Sequence, residues 1–185
     1  GQFLVANLLK RGEPVYVLVR RESVKKLDAQ RVRWGADDKQ VVAVVGDIGK
    51  KDLGVAAADL RRLSGKIDHF FHLAAIYDIT ADAESQVEGN VGGTRHALAC
   101  AKAMEAGCFH HVSSIAAAGL YKGTFTEDMF EEATGLDNPY YRTKHDAEGL
   151  VRREKGIPWR IYRPGVVVGH SATGEMDKID GPYYF

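Results

Sequence analysis

Five short runs of β-branched and aromatic residues alternate with stretches of helical spacing along the whole chain, and this alternation leaves few folds open. Residues 2–11 place Phe3, Leu4, Ala6, Leu8 and Leu9 at helical spacing, and Gly12 stops that helix. Strand-type runs follow at 14–19, 41–45, 67–75, 109–113 and 159–168, with helical stretches near 54–64, 84–106 and 138–155. Strands separated by helices of this length are joined by right-handed crossovers and pair in parallel. The pattern predicts a doubly wound α/β domain.

Sheets of that kind bind ligands outside the carboxyl ends of their strands. Arg20 and Arg21, Asp47, residues 72–75, Ser113 and Ser114, and residues 163–165 all follow strand runs, so they are expected along one edge. The first strand pattern comes only after a helix that opens at Gly1, and no initiator Met is present. The expectation is a Rossmann-type domain lacking its first strand and most of its glycine loop. Gly1 would then be the last glycine of a Gly-x-Gly-x-x-Gly type turn, the one that lets the helix pack closely.

The tip of the second strand speaks to cofactor choice. An acid about 20 residues after the glycines suits the ribose hydroxyls of NAD, whereas arginine suits a 2′-phosphate. Arg20 and Arg21 stand there, so NADPH is favoured over NAD. The alternative is a solvated basic strand end, and Glu22 follows directly.

Tyr140 and Lys144 are four residues apart in Pro-Tyr-Tyr-Arg-Thr-Lys, one turn apart on a single helix face. A phenol with a reference pKa of about 10 is a poor acid-base group at neutral pH, but a nearby cation favours its phenolate. A serine hydroxyl at a strand end, from Ser113 or Ser114, could hold the oxygen whose proton is exchanged.

These residues resemble the extended short-chain dehydrogenase/reductases. The matching features are Gly46-Asp47-Ile48, His72-Leu73-Ala74-Ala75, Asn90-Val91-Gly92-Gly93-Thr94, Val112-Ser113-Ser114, Tyr140 with Lys144, and Arg163-Pro164-Gly165. The resemblance implies Ser114, Tyr140 and Lys144 in catalysis, with Ser114 rather than Ser113 at the catalytic position. It implies Asn90 as a support of the site and of a proton relay from Lys144 to solvent. It also implies cofactor contacts at Asp47, Ile48, Ala74, Ala75, Tyr140, Lys144, Pro164 and Gly165. Residues 163–175 look like the male-sterility and thioester-reductase branch, and 113–119 and 174–178 look closest to the reductase domain of bacterial alcohol-forming fatty acyl-CoA and fatty aldehyde reductases. The implied substrate is an acyl-CoA or long-chain aldehyde, and the full-length protein would carry further reductase domains. Sugar-nucleotide epimerases of the same superfamily usually have a tyrosine near Ala118. A sugar-nucleotide or steroid dehydrogenase, epimerase or dehydratase is the alternative, and a redox-sensing binding protein is a further class.

Composition fits such an enzyme. Acidic and basic side chains balance at 25 each, which gives no electrostatic footprint for nucleic acid. No apolar run approaches the roughly 18 residues of a spanning helix. Cys100 and Cys108 have neither metal nor disulfide spacing, which suits the cytoplasm. His110 and His111 are adjacent on a strand and point to opposite faces, so no metal site is expected. Gly92-Gly93 reads as a close helix contact, His72 as a structural residue, and Leu120, Tyr121, Phe125, Met129 and Phe130 as packing in preference to an acyl tunnel. Residues 1–170 are expected to form the nucleotide-binding domain, and 171–185 to open the substrate-binding region.

Overall fold

Parallel pairing follows once helices intervene between the β-branched runs. In the computed structural model, which describes residues 1–76 and 82–176, β1 (Val15–Val19) pairs in parallel with β2 (Val41–Val45). β3 (His69–His72), β4 (Cys108–Val112) and β5 (Trp159–Tyr162) form a second parallel ladder in that order. The helices are α1 (Gln2–Leu9), α2 (Val24–Trp34), α3 (Ala57–Leu63), α4 (Ala83–Gln86), α5 (Gly93–Ala103) and α6 (Pro139–Arg152).

The sequence reading expected one parallel sheet, and the described residues give two. Two strands are also shorter than their apolar runs. β5 ends at Tyr162 rather than 168, because Pro164 has no N–H to donate to a ladder. Val166 and Val167 beyond it are 69% and 81% exposed. β3 occupies only the middle of the 67–75 run.

α2 was not expected. Its 11 residues carry five charged side chains and bury only Leu27, so its apolar periodicity is faint. Its end is clear: Gly35 takes φ 61°, and its N–H returns to Arg31 and Val32 as a left-handed C-cap. The stretch expected as one helix over 84–106 is interrupted by a wide π-type turn at Val87–Gly92. Gly89 lies in that turn, where a Cβ would come within 2.6 Å of the Ile76 side chain.

β4 is the centre of the larger sheet. Phe109 is fully buried and packs with Leu98 and Cys100 of α5, Val151 of α6 and Leu63 of α3. Burying such a side chain contributes about 1.5–3 kcal/mol. His110, on the opposite face, stacks on Phe71 and bonds His69 and Tyr162. Among the described residues no helix is long and apolar enough to cross a membrane, and no cluster of three His, Cys, Asp or Glu side chains could hold a metal.

Candidate active site

The carboxyl ends of β1, β2 and β3 converge on a cleft of about 160 Å³ lined by Leu18, Val19, Arg20, Gly46, Asp47, Ile48 and Ala74. The walls of this cleft are fixed from behind. A Cβ on Gly46 would lie 2.6 Å from Leu18 Cδ1 and closer still to the Leu53 carbonyl, so only glycine fits at this strand end. The Asp47 N–H donates to that carbonyl at 2.6 Å, and Asp47 Oδ1 accepts from the Gly49 N–H at 3.0 Å. Asp52 and Leu53 both take left-handed φ, 51° and 56°, to bring the carbonyl there. His96 Nδ1 donates to the Ile48 carbonyl at 3.1 Å, and Gly93 admits the Ile48 side chain at 3.0 Å from its Cβ position. The close contact at Gly92-Gly93 therefore belongs to Gly93.

Arg20 is extended (φ −67°, ψ 151°) and leads into the 3-10 turn Arg21–Ser23. Both arginines are exposed, and only Arg20 lines the cleft. Ala75 is half-buried beside Ala74. Gly1 caps α1, with its carbonyl accepting from Val5 N–H, and no atom lies within 4 Å of its Cβ position. A guanidinium and a carboxylate around a hollow held open by a glycine are a donor set that fits the adenosine half of a dinucleotide.

The serine, tyrosine and lysine come from β4 and α6. Asn138 caps α6, accepting from Tyr140 N–H at 2.8 Å, and Pro139 supplies the preset first-turn φ. Tyr140 thus sits in the first turn, half-buried, with Lys144 one turn on. Lys144 is buried, and its Nζ donates to the Val112 carbonyl at 3.1 Å, immediately before the serine pair. Burial pushes this ammonium down to about 8, against the opposing pull of Glu148.

The two serines do different things. Ser113 is buried and donates to Glu148 Oε2 at 2.7 Å. Ser114 Oγ accepts from Ala116 N–H at 3.1 Å at the start of the 3-10 turn Ile115–Ala118. Accepting there leaves the Ser114 hydroxyl proton for another partner. Ile115 N–H donates to the Pro164 carbonyl, and the Ile115 side chain lies 3.8 Å from the Cβ position of Gly165, so the Pro164-Gly165 turn flanks Ser114.

Asn90 lies in the π-type turn, buried. Its side chain accepts from Ile76 N–H at 2.7 Å and donates to the Ile76 carbonyl at 3.0 Å and to Thr143 Oγ1 at 3.1 Å. It joins the segment after β3 to α6 beside Lys144. His72 is held by Thr94, whose hydroxyl donates to the Asn90 carbonyl, so His72 Nε2 is the donor to Thr94 Oγ1 at 3.0 Å. Burial, and secondarily the Lys144 charge, lower His72 to about 4 and keep it neutral.

Sequence reasoning missed Glu148, Thr143 and His96. Glu148 continues the Tyr140, Lys144 spacing by a further four residues, a signal that was present in the sequence. Phe125 and Phe130 are packing residues, lying under the Arg163 and Arg152 guanidiniums at 4.9 and 5.0 Å. Leu120 is 63% exposed. A larger hollow of about 340 Å³, at the carboxyl end of α6 beside Phe130 and Arg153, contains none of the expected site residues. Residues 177 and 178 of the resemblance at 174–178, and the rest of the expected substrate-binding region to 185, lie outside the described residues.

The sequence profile of the family described as male sterility protein matches residues 1–185, the whole chain. The chain belongs to that family. It is an extended short-chain dehydrogenase/reductase with an NAD(P)-binding Rossmann domain, of the reductase branch that includes thioester reductases. This male sterility family chain is 29% identical to a non-canonical nonribosomal peptide synthetase, FrzA, from a Cladobotryum species, over 97% of its own length and 20% of that protein. It is 28% identical to the L-2-aminoadipate reductase large subunit of Penicillium chrysogenum, over 97% of the chain and 15% of that protein. Among solved structures, the terminal R domain of the myxalamid PKS-NRPS biosynthetic pathway is similar with TM-score 0.79 and 31% identity, covering 92% of this chain and 47% of that one. The UDP-glucuronic acid 4-epimerase from Bacillus cereus, in complex with NAD, is similar with TM-score 0.68 and 25% identity over 91% of this chain and 54% of that one. The chain therefore spans about half of these solved structures and a small part of the curated relatives.

Proposed function

We propose that this chain is the nucleotide half of an NADPH-dependent reductase that acts on an acyl thioester or aldehyde carbonyl, with a fatty acyl-CoA or fatty aldehyde as substrate. One observation carries the reading. Ser114, with its hydroxyl proton uncommitted, and Lys144, bound to the carbonyl two residues earlier in the chain, meet at the carboxyl end of β4, with Tyr140 on the same face of α6 as Lys144. NADPH, when bound, supplies hydride to the carbonyl carbon. Ser114 donates a hydrogen bond to the carbonyl oxygen as negative charge gathers there, and the Tyr140 hydroxyl gives that oxygen its proton. Lys144 favours the resulting phenolate by its charge and, with Tyr140, holds the nicotinamide ribose. Asn90 supports α6 through Thr143 and links Lys144 to solvent for reprotonation.

Arg20 and Arg21 would hold the 2′-phosphate, Asp47 and Ile48 the adenosine, and Ala74, Ala75, Pro164 and Gly165 the remainder of the cofactor. Gly1 would stand at the pyrophosphate as the start of α1. The exposed apolar side chain of Ile115, next to Ser114 in the chain, suits an acyl chain better than a sugar. Residues 1–170 form the nucleotide-binding domain in this reading, and 171–185 open the substrate region. The small share of the peptide synthetases and of the aminoadipate reductase subunit that the chain covers favours a larger protein with further domains, and the cysteine spacing favours the reducing cytoplasm. A sugar-nucleotide enzyme is the second reading, favoured by the likeness to the UDP-glucuronic acid epimerase.

The test is NADPH oxidation by the full-length protein offered a long-chain aldehyde, an acyl-CoA and a UDP-sugar in parallel. Turnover with the first two supports the reading, and turnover with the sugar nucleotide alone replaces it with the second.

A further inference from the structure

Glu148 is a fully buried carboxylate with no place in the chemistry above, yet it collects hydrogen bonds from three parts of the chain. Ser113 Oγ donates to Oε2 at 2.7 Å, from the end of β4. Arg152 Nε donates to Oε1 at 2.8 Å, from one turn further along α6. Arg163 donates to both oxygens through Nε, at 3.2 and 3.1 Å, and to Oε1 from its terminal nitrogen at 2.6 Å. Buried charge is tolerated only when it is paired and hydrogen-bonded, and this carboxylate is satisfied by two guanidiniums and a hydroxyl. Burial pushes it up, but the bonds from Arg163, Ser113 and Arg152 outweigh burial and hold it below the ordinary carboxylate value.

The two arginines carry the cluster outwards. Arg163 donates to the carbonyls of Thr126 and Met129, and Arg152 to those of Glu127 and Met129. The segment 126–129 is thereby fastened to α6 and to the end of β5. Arg163 stands next to Pro164, and Ser113 next to Ser114. Lys144 is one turn of α6 before Glu148, and Tyr140 is two turns before it.

We propose that Glu148 is the positioning residue of the Ser114, Tyr140 and Lys144 site, fixing the Ser114 backbone through Ser113 and the Pro164-Gly165 turn through Arg163, and supplying the negative charge that keeps Lys144 protonated. This rests on the carbonyl-reductase reading of the same site. The charge task follows from what surrounds the lysine. His72 of β3 and His111 of β4 face it and are neutral, Tyr140 and Glu148 lie on its own helix, and the Val112 carbonyl accepts a hydrogen bond from it. Among these groups Glu148 brings the carboxylate charge. Arg152 and Arg163 are engaged with it in ion pairs.

Glu148→Gln keeps the shape and removes the charge. Two readouts on the full-length protein are taken together: the titration of Lys144 Nζ by nitrogen-15 NMR, which needs no turnover, and the pH profile of kcat for aldehyde reduction. The expected result is a Lys144 titration displaced to lower pH, an alkaline limb of kcat displaced the same way, and kcat at neutral pH lowered at least ~10-fold with the KM for NADPH little changed. Unchanged titration and pH profile, with only thermal stability lost, would mean a merely structural ion cluster and would overturn the proposal.

Ser113→Ala, which leaves the ion cluster paired, tests the other arm should Glu148→Gln fail to fold. It should lower kcat without moving the Lys144 titration, and Ser113→Thr should restore it. Wild-type kcat in Ser113→Ala would overturn positioning through Ser113. If Lys144 titrates at lower pH in Glu148→Gln while the wild-type protein reduces no carbonyl, the charge assignment stands and the reductase reading fails.

Discussion

Lys144 Nζ donates to the carbonyl of Val112, 32 residues earlier in sequence, at 3.1 Å. That bond joins the helix that carries Tyr140 to the strand end that carries Ser114. It draws an ammonium into a buried place, and burial lowers its pKa. In the folded state Lys144 loses its proton near pH 8 rather than 10.5, so between those values the unfolded chain binds more protons and stability rises with pH. Below pH 8 the charged lysine costs the fold about 3 kcal/mol relative to its neutral form. Lys144→Met should raise the unfolding free energy at pH 7, flatten its rise between pH 8 and 10.5, and abolish turnover. Urea denaturation across that range, with NADPH-oxidation rates alongside, checks the exchange of stability for activity.

Two buried histidines act in the same direction at lower pH. Burial lowers His72 to about 4 and His111 to about 2, so both stay neutral in the folded state while the unfolded chain takes up protons below about 6.5. Stability should fall as pH drops from 6.5 to 4, by about 3 kcal/mol for His72 alone. Neither ring nitrogen of His111 has a hydrogen-bond partner among the described residues. His111→Phe, in the stack beside Phe109, should therefore raise the unfolding free energy at pH 5 by about 2 kcal/mol. A variant no more stable than wild type at pH 5 would mean that His111 is hydrated or paired in solution.

Arg20 and Arg21 stand at the tip of β1, one on the cleft wall and the other just beyond it. Replacing both with Ala should weaken NADPH binding by tenfold or more and leave NADH nearly unaffected, since a charge-assisted bond contributes about 1.5–3 kcal/mol. Calorimetric titration with each cofactor decides it, and equal losses with both would assign the arginines to the fold.

Gly46→Ala places a methyl group against Leu18 and the Leu53 carbonyl. Overpacking of this kind costs about 1–3 kcal/mol. The cofactor cleft should distort with it, so denaturation and NADPH fluorescence titration should both register the change. A variant with unaltered stability would show that the Leu53 turn yields.

Much of this was legible in the sequence because the signals were local. Val41–Val45 is a strand by its β-branched run, and Asn138-Pro139 marks the start of α6 and so fixes Tyr140 in its first turn. The position of Ser114 relative to Ser113 was legible only through family resemblance, and hydrogen bonding supplies the physical difference between them. What was hidden depended on contacts distant in sequence. α2 lacks an apolar stripe and packs through little more than Leu27, and the π-type turn sets Gly89 against the Ile76 side chain, a contact distant in sequence. Glu148 looked like one more helix acid until Arg163, Ser113 and Arg152 closed around it.

Substrate class should show in the apolar rim. Ile115 is 58% exposed beside Ser114. Ile115→Asp should raise the KM for a long-chain aldehyde at least tenfold while that for a short aldehyde changes little, because one buried methylene contributes about 0.8 kcal/mol and several would be lost. Equal effects on long and short aldehydes would remove Ile115 from the acyl path.

The most direct test of the proposed chemistry is the rate of aldehyde-dependent NADPH oxidation by the full-length protein, measured in a single turnover for wild type and Tyr140→Phe. The variant should bind NADPH with nearly wild-type affinity, since Lys144 still holds the nicotinamide ribose, and lose about 100-fold or more of its rate, since the proton donor is removed. A Tyr140→Phe protein that turns over at a rate near wild type would contradict the assignment of Tyr140, and with it the Ser114, Tyr140 and Lys144 mechanism.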